Sequence, residues 1–281
     1  MPQTAIDPSP AAQWQAVGPD AAGFTQDVSD KVDFGVRAGL ISGLHSVVVT
    51  RHGELAFERY YAGDDFRWGA PLGPVAHGPE TLHDLRSVTK SIVSLLFGIA
   101  LGRGLVAPPE ASLLQQFPQY ADLAADPRRA GLTIAHALTM SLGTEWDEGI
   151  PYTDPANSEI QMEQAPDRLR YILDRPITLE PGQSWVYNGG TSALLGVLIE
   201  QGTGQPLDAF ARDALFAPLG IERFDWTKGA DGVASAASGL RLTARDLAQI
   251  GQLILSGGTH AGREIVPKRW LEQSTTAKIA T

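Results

Sequence analysis

The sequence predicts an α+β fold, and three observations carry that expectation. Two β-patterned runs lie close together near the start. A single strongly apolar helix follows them. A long, mainly helical block comes next and then gives way to mixed sequence. Strands and helices are therefore segregated, unlike the regular βαβ alternation of a doubly wound sheet.

Residues 1–30 are polar and rich in Pro, Gly, Asp and Ala, which predicts an extended arm. An amphipathic helix is expected from Val32 to Gly43. Ser46–Arg51 and Leu55–Tyr61 are rich in β-branched and aromatic residues and flank His52-Gly53, where glycine suits the positive φ of a tight turn. Residues 62–81 read as a Gly- and Pro-rich loop. The run from Leu85 to Ala100 is apolar on nearly every face, the mark of a helix buried in a domain centre, and Gly102-Arg103-Gly104 is its stop. Further helices are expected near Glu110–Gln116, at Ile134–Met140 with Thr133 as cap, at Pro166–Leu173, and at Gly190–Gln201 closed by Gly202 and Gly204. Two more are expected at Ala209–Leu219, ended by Pro218 and Gly220, and at Ala244–Leu255, capped by Thr243 and closed by Gly257-Gly258.

The chain has 281 residues, 43% hydrophobic and 19% charged, an ordinary globular composition. A net charge of −10 and the lack of a basic block argue against nucleic acid and anionic membrane as partners. There is no cysteine, which removes disulfides, thiol catalysis and thiolate metal sites together. The N-terminus shows neither a basic n-region nor an apolar h-region, and no apolar run reaches a membrane span. The chain as written thus reads as soluble and cytoplasmic, or as periplasmic or secreted if a signal had been removed. Oligomeric state is not legible.

Ser87-Val88-Thr89-Lys90 opens the apolar helix. A spacing of three places the Ser87 hydroxyl and the Lys90 amine on one face, one turn apart. A serine hydroxyl is a weak nucleophile until a base takes its proton. Burial and the positive end of a helix dipole both disfavour an ammonium, so Lys90 suits that task. A structural lysine that pairs with a carboxylate or snorkels outward is the competing reading. The other lysines (Lys31, Lys228, Lys268 and Lys278) lie in polar or loop-like sequence. A second signal is Tyr187, on a turn ahead of the helix at Gly190 and beside Gly189 and Gly190, which let a backbone pass close to a ligand. Its phenol can pass protons to a leaving group, or it is a core tyrosine with one satisfied hydroxyl.

Ser87-Val88-Thr89-Lys90, then Leu138-Thr139-Met140-Ser141-Leu142-Gly143, then Pro181-Gly182 with Tyr187 ahead of Leu194-Leu195-Gly196, resembles the serine β-lactamase-related hydrolases in order and spacing, from about residue 30 onward. That family includes class C β-lactamases, DD-peptidases, related carboxylesterases and nylon-oligomer hydrolases. The resemblance implies a β-lactamase/transpeptidase-like antiparallel sheet with flanking helices, built from 31–103 and 211–281, beside a mainly helical domain over 104–210. It implies an acyl-enzyme on Ser87, with Lys90 and Tyr187 as acid and base, the Ser87 N–H in an oxyanion hole, and no cofactor. Asn188, Gly189, Trp146 and Tyr152 are the residues expected around the substrate, a small ester or amide. Ester, amide, β-lactam and D-alanyl peptide all stay open.

Two departures are visible. The family's Tyr-x-Asn or Tyr-Ser-x is here Tyr187-Asn188-Gly189, so the amide is absent or comes from Asn188, one place earlier. The family's Lys-Thr-Gly is missing. His260-Ala261-Gly262 matches the variant His-x-Gly only within a turn-rich stretch that resembles a surface connection. Relatives continue beyond Thr281 through about three more strands and a helix, so a shortened chain with an incomplete sheet is expected, or a sheet completed by something outside this sequence. A non-catalytic or inactive member that binds a carbonyl or muropeptide-like ligand is therefore the alternative to a serine hydrolase.

Other chemistries have weaker support. No Gly-x-Ser-x-Gly pentapeptide occurs. The six histidines (His45, His52, His77, His83, His136 and His260) show no metal-ligand spacing, which argues against a metal site, and most of them read as surface or cap residues. Asp147-Glu148 reads as a solvated turn.

Overall fold

The computed structural model describes residues 14–279. Residues 1–13 of the expected arm lie outside the described residues. In chain order the elements are α1 (Val28–Arg37), β1 (Ser46–Arg51), β2 (Glu54–Tyr60), β3 (Ala62–Arg67), β4 (Ala70–Ala76), β5 (Leu82–Asp84) and α2 (Val88–Gly102). Short helices α3 (Pro127–Ala130), α4 (Ile134–Leu138), α5 (Ser158–Gln164) and α6 (Arg168–Leu173) precede the long α7 (Gly189–Thr203) and α8 (Leu207–Ala211). The chain continues through β6 (Asp225–Trp226), β7 (Leu240–Thr243), α9 (Ala244–Leu255), β8 (Thr259–His260), β9 (Arg263–Glu264) and α10 (Lys268–Ser274).

These elements form two compact units. The first comprises the described residues up to Leu85 with Arg212–Asp225 and Leu240–Ile265. Its β1–β2 hairpin is antiparallel, with Ser46 opposite Tyr60 and a register shift between Val49 and Thr50. His52 and Gly53 both take positive φ (53° and 82°), as the expected tight turn demands. Residues 62–81, expected as loop, instead hold a second antiparallel hairpin, β3–β4, turned at Trp68 and Gly69 with φ of 48° and 87°. Asp64, Asp65, Gly73 and Pro74 hid it, because these residues are depleted in strands. β5 pairs antiparallel with β7, His83 opposite Leu242. In this unit Arg241 holds the buried Asp65 carboxylate and also donates to the carbonyls of Phe66 and Leu82, so the buried charge is both paired and hydrogen-bonded. α9 begins where expected, because Thr243 and Asp246 close a reciprocal capping box. α1 starts earlier and ends earlier than its apolar pattern suggested, with Gly39 at φ 70° just beyond it.

The second unit comprises Arg86–Ala211, Trp226–Gly239 and the described residues from Val266. Its core is α2 packed on α7. Leu96 and Phe97 of α2 and Leu194 and Ile199 of α7 are fully buried. Each such side chain is worth about 1.5–3 kcal/mol of burial. Gly98 creates the seat for α10: a Cβ there would lie 2.1 Å from Cδ1 of Trp270, whose indole N–H donates to the Ser94 carbonyl at 2.9 Å. α7 ends at Gly204 in the left-handed conformation, as its glycine stop predicts. The helix expected near Glu110–Gln116 is reduced to one 3-10 turn, Leu114–Gln116.

Candidate active site

The chemistry gathers in the second unit. Ser87 is the N-cap residue of α2 and is exposed. Arg86, just before it, has φ 45°. A left-handed non-glycine residue costs about 1–2 kcal/mol, and this one turns the chain sharply into the helix so that the hydroxyl stands at its mouth. One turn on, Lys90 Nζ lies 3.4 Å from Ser87 Oγ and donates to the Ala237 carbonyl at 2.8 Å. Its Nζ sits 4.8 Å from the centre of the Tyr187 ring, a cation–π distance. The Tyr187 hydroxyl donates to Ser87 Oγ at 2.6 Å. The structure thus brings Ser87, Lys90 and Tyr187 together.

Local backbone pairing sets the Tyr187 turn. Val186 N–H donates to the Met140 carbonyl at 3.0 Å, and Gly182 N–H to the Ser141 carbonyl at 2.8 Å. Met140 has φ 51°. Gly143 has φ 72°, and a Cβ on it would meet the Leu179 carbonyl oxygen at 2.3 Å, so only glycine lets the two segments approach. The Ser141-Leu142-Gly143 signature is, physically, the strip that anchors the tyrosine turn.

Three of the four residues expected around the substrate meet at one carboxylate, Glu148, which the sequence placed in a solvated turn. Glu148 accepts the Trp146 indole N–H at 2.6 Å, the Tyr152 hydroxyl at 3.0 Å and the backbone N–H of Gly189. Asn188 is buried and turned inward: its Oδ1 accepts the Thr191 N–H at 3.1 Å, capping α7. Trp146 is buried as well, whereas Tyr152 is 39% exposed. Behind Gly189 stands Glu159, 6% exposed, and a Cβ on that glycine would lie 2.8 Å from Glu159 Oε2 and 3.0 Å from Glu148 Oε1. Burial, and then the neighbouring Glu148 charge, push the Glu159 carboxyl up to about 8. Asp147-Glu148 is therefore only half a solvated turn. Asp147 is exposed and caps Gly149, while Glu148 holds the helix start behind Tyr187. The available signal was Asn157, a cap residue that starts α5 and so aims Glu159 inward.

The histidines depart from the surface-or-cap expectation. His136 does cap α4, His52 is exposed, and His260 contacts Gln249. His45, His77 and His83 instead converge within the first unit, with rings stacked at centroid distances of 4.0 Å (His45–His77) and 5.0 Å (His77–His83). Burial, then the adjacent His77 and His45, push His83 down to about 4. No described helix is long and apolar enough to cross a membrane.

Comparison with known proteins bears on the family and the fold. The family model described as Beta-lactamase matches residues 32–281. Esterase EstB of Burkholderia gladioli is 30% identical over 229 residues, covering 79% of this chain and 55% of that protein. The 6-aminohexanoate-dimer hydrolase of Paenarthrobacter ureafaciens is 29% identical over 238 residues, 80% of this chain and 55% of its own length. The chain thus spans about half the length of these curated relatives. Among solved structures, a Bacillus anthracis protein provisionally named 6-aminohexanoate-dimer hydrolase superposes with a TM-score of 0.72 at 19% identity, over 95% of this chain and 68% of that one. The octameric penicillin-binding protein homologue from Pyrococcus abyssi gives 0.60 at 17% identity, over 90% and 60%. At these identities the structures speak for the fold, the α+β architecture of β-lactamases and penicillin-binding proteins. With the family model spanning most of its length, the chain belongs to the beta-lactamase family.

Proposed function

We propose that this protein is a serine hydrolase that cleaves an ester or amide through an acyl-enzyme on Ser87. The observation that carries the reading is the junction of three groups at one oxygen: Ser87 Oγ lies 2.6 Å from the Tyr187 hydroxyl and 3.4 Å from Lys90 Nζ. In the proposed first step the Lys90–Tyr187 pair is one proton short, as neutral amine or tyrosinate; Oγ attacks the substrate carbonyl carbon, the carbonyl π bond opens to an oxyanion, and the Oγ proton passes to the pair. The backbone N–H of Ser87, at the N-terminal end of α2, faces the developing oxyanion, where the helix dipole favours negative charge. The Tyr187 hydroxyl then protonates the departing alkoxide or amine. Water, deprotonated by the same pair, attacks the acyl carbon and frees Ser87. The names of EstB and the aminohexanoate-dimer hydrolase support ester and amide bonds as the class.

Within that class, exposed aromatic groups beside the tyrosine favour an apolar acyl or leaving group. Trp185 is 43% exposed, with its ring 6.1 Å from that of Tyr187. Asn188 is spent on capping α7, which supports ester or simple amide over β-lactam turnover. A panel of short-chain p-nitrophenyl esters, nitrocefin and a D-Ala-D-Ala peptide tests the reading. Ester hydrolysis that vanishes in Ser87→Ala is expected. Turnover of none of the three by a folded sample would turn the reading toward a ligand-binding member of the family.

A further inference from the structure

Two of the four buried side-chain polar atoms that lack a hydrogen-bond partner among the described residues are Nε2 of His77 and Nε2 of His83. Orphaned buried polar atoms are uncommon and costly, and two in one cluster call for a shared cause. His77 is 7% exposed. Its Nδ1 lies 2.9 Å from the carbonyl oxygen of Tyr61. A carbonyl can only accept, so Nδ1 carries the proton and Nε2 presents a bare lone pair. A histidine whose second nitrogen donates to a backbone carbonyl is oriented as metal-binding histidines are. The Tyr61 backbone also fixes the third member, its N–H donating to the His45 carbonyl at 2.9 Å. One ligand-capable nitrogen from each of His45, His77 and His83 lies within 4.8 Å of the others.

We propose that His45, His77 and His83 form a three-nitrogen site for a borderline divalent cation of the Zn2+ class, with the fourth position left to water. The donor set decides the class. Calcium and magnesium need oxygen ligands, and the nearby carboxylate of Asp65 is committed to Arg241 and to the Phe66 N–H. Neutral imidazoles suit zinc, nickel and copper. Zinc–nitrogen bonds of about 2.0–2.1 Å in a tetrahedron place the nitrogens about 3.3 Å apart, so binding draws them in from within 4.8 Å and turns the near-parallel rings until their in-plane lone pairs converge. His45, half-exposed ahead of β1, has the room to make it. The ion would tie together the entry to β1, the exit of β4 and β5. Its role is structural, independent of the chemistry proposed at Ser87.

The test uses the full chain stripped with a chelator and titrated with Zn2+ against a chromogenic indicator. One tight equivalent per chain is expected, with a raised melting temperature, and Co2+ should give the visible d–d bands of a low-coordinate nitrogen site. His77→Ala should weaken binding by at least the ~10–100-fold typical of losing even an outer-shell partner. If His77→Ala does not fold, His45→Gln serves with the same readout. His52→Asn, at the exposed turn of the β1–β2 hairpin, should bind as the parent does. No Zn2+ uptake by the parent chain, or unchanged affinity in a folded His77→Ala or His45→Gln protein, would overturn the site.

Discussion

Replacing Glu159 by glutamine should change how stability depends on pH. Glu159 is 6% exposed behind Gly189, beside Glu148, and its carboxyl is raised from the usual 4.5 to about 8, chiefly by burial. Between those two values the folded chain holds a proton that the unfolded chain has released. Stability therefore falls as pH rises through this window, and the contribution is intact below about 4.5 and lost above about 8. At 1.36 kcal/mol per pH decade, the interval from 4.5 to about 8 sets a ceiling of about 5 kcal/mol. Relaxation of the pair toward solvent lowers this, so a loss of about 2–4 kcal/mol between pH 5 and pH 8.5 is expected for the parent. Glutamine keeps the shape and a donor toward Glu148 but does not titrate. Urea unfolding at a series of pH values, with the slope m checked for constancy, measures the difference. The two proteins should be similar near pH 5, and the variant should gain on the parent toward pH 8.5. Parallel stability curves would refute a protonated Glu159 behind the tyrosine turn.

Other perturbations separate chemistry from packing. Lys90→Arg should abolish acylation almost as fully as Lys90→Ala, because a guanidinium cannot give up its proton; full activity in Lys90→Arg, read by ester hydrolysis, would remove the lysine from the base role. Tyr187→Phe should slow kcat by about 10²–10⁴-fold while leaving the melting temperature within a few degrees, as befits a proton-transfer group at a half-buried turn. Gly98→Ala should cost about 1–3 kcal/mol, since its new methyl would overlap the Trp270 ring; thermal unfolding measures this, and activity per folded molecule should be unchanged.

Short-range physics was legible in the sequence. α2 showed itself as an all-round apolar run, α9 through its Thr243 cap, and the β1–β2 hairpin through His52-Gly53. Ser87, Lys90 and Tyr187 were singled out because two of them share one helical turn, the third lies on a turn ahead of another helix, and their order resembles that of the family. What escaped was non-local or locally unfavourable. β3–β4 carries aspartates, glycine and proline, and its pairing rests on a turn through the non-glycine Trp68. Glu148 and Glu159 come from separate segments and meet only at Gly189. His45, His77 and His83 follow no ligand spacing and are joined only by hairpin geometry and the Tyr61 backbone. Asn188 was expected beside the substrate because the family resemblance calls for an amide close after Tyr187. A cap residue at the start of α7 must turn the other way.

The most direct measurement is the intact mass of the protein after exposure to a fluorophosphonate probe. One equivalent of label is expected on the parent chain, mapped by peptide digestion to Ser87, and none on Ser87→Ala. A folded parent that takes up no label, or a Ser87→Ala protein labelled as readily as the parent, would contradict the assignment of Ser87 as nucleophile.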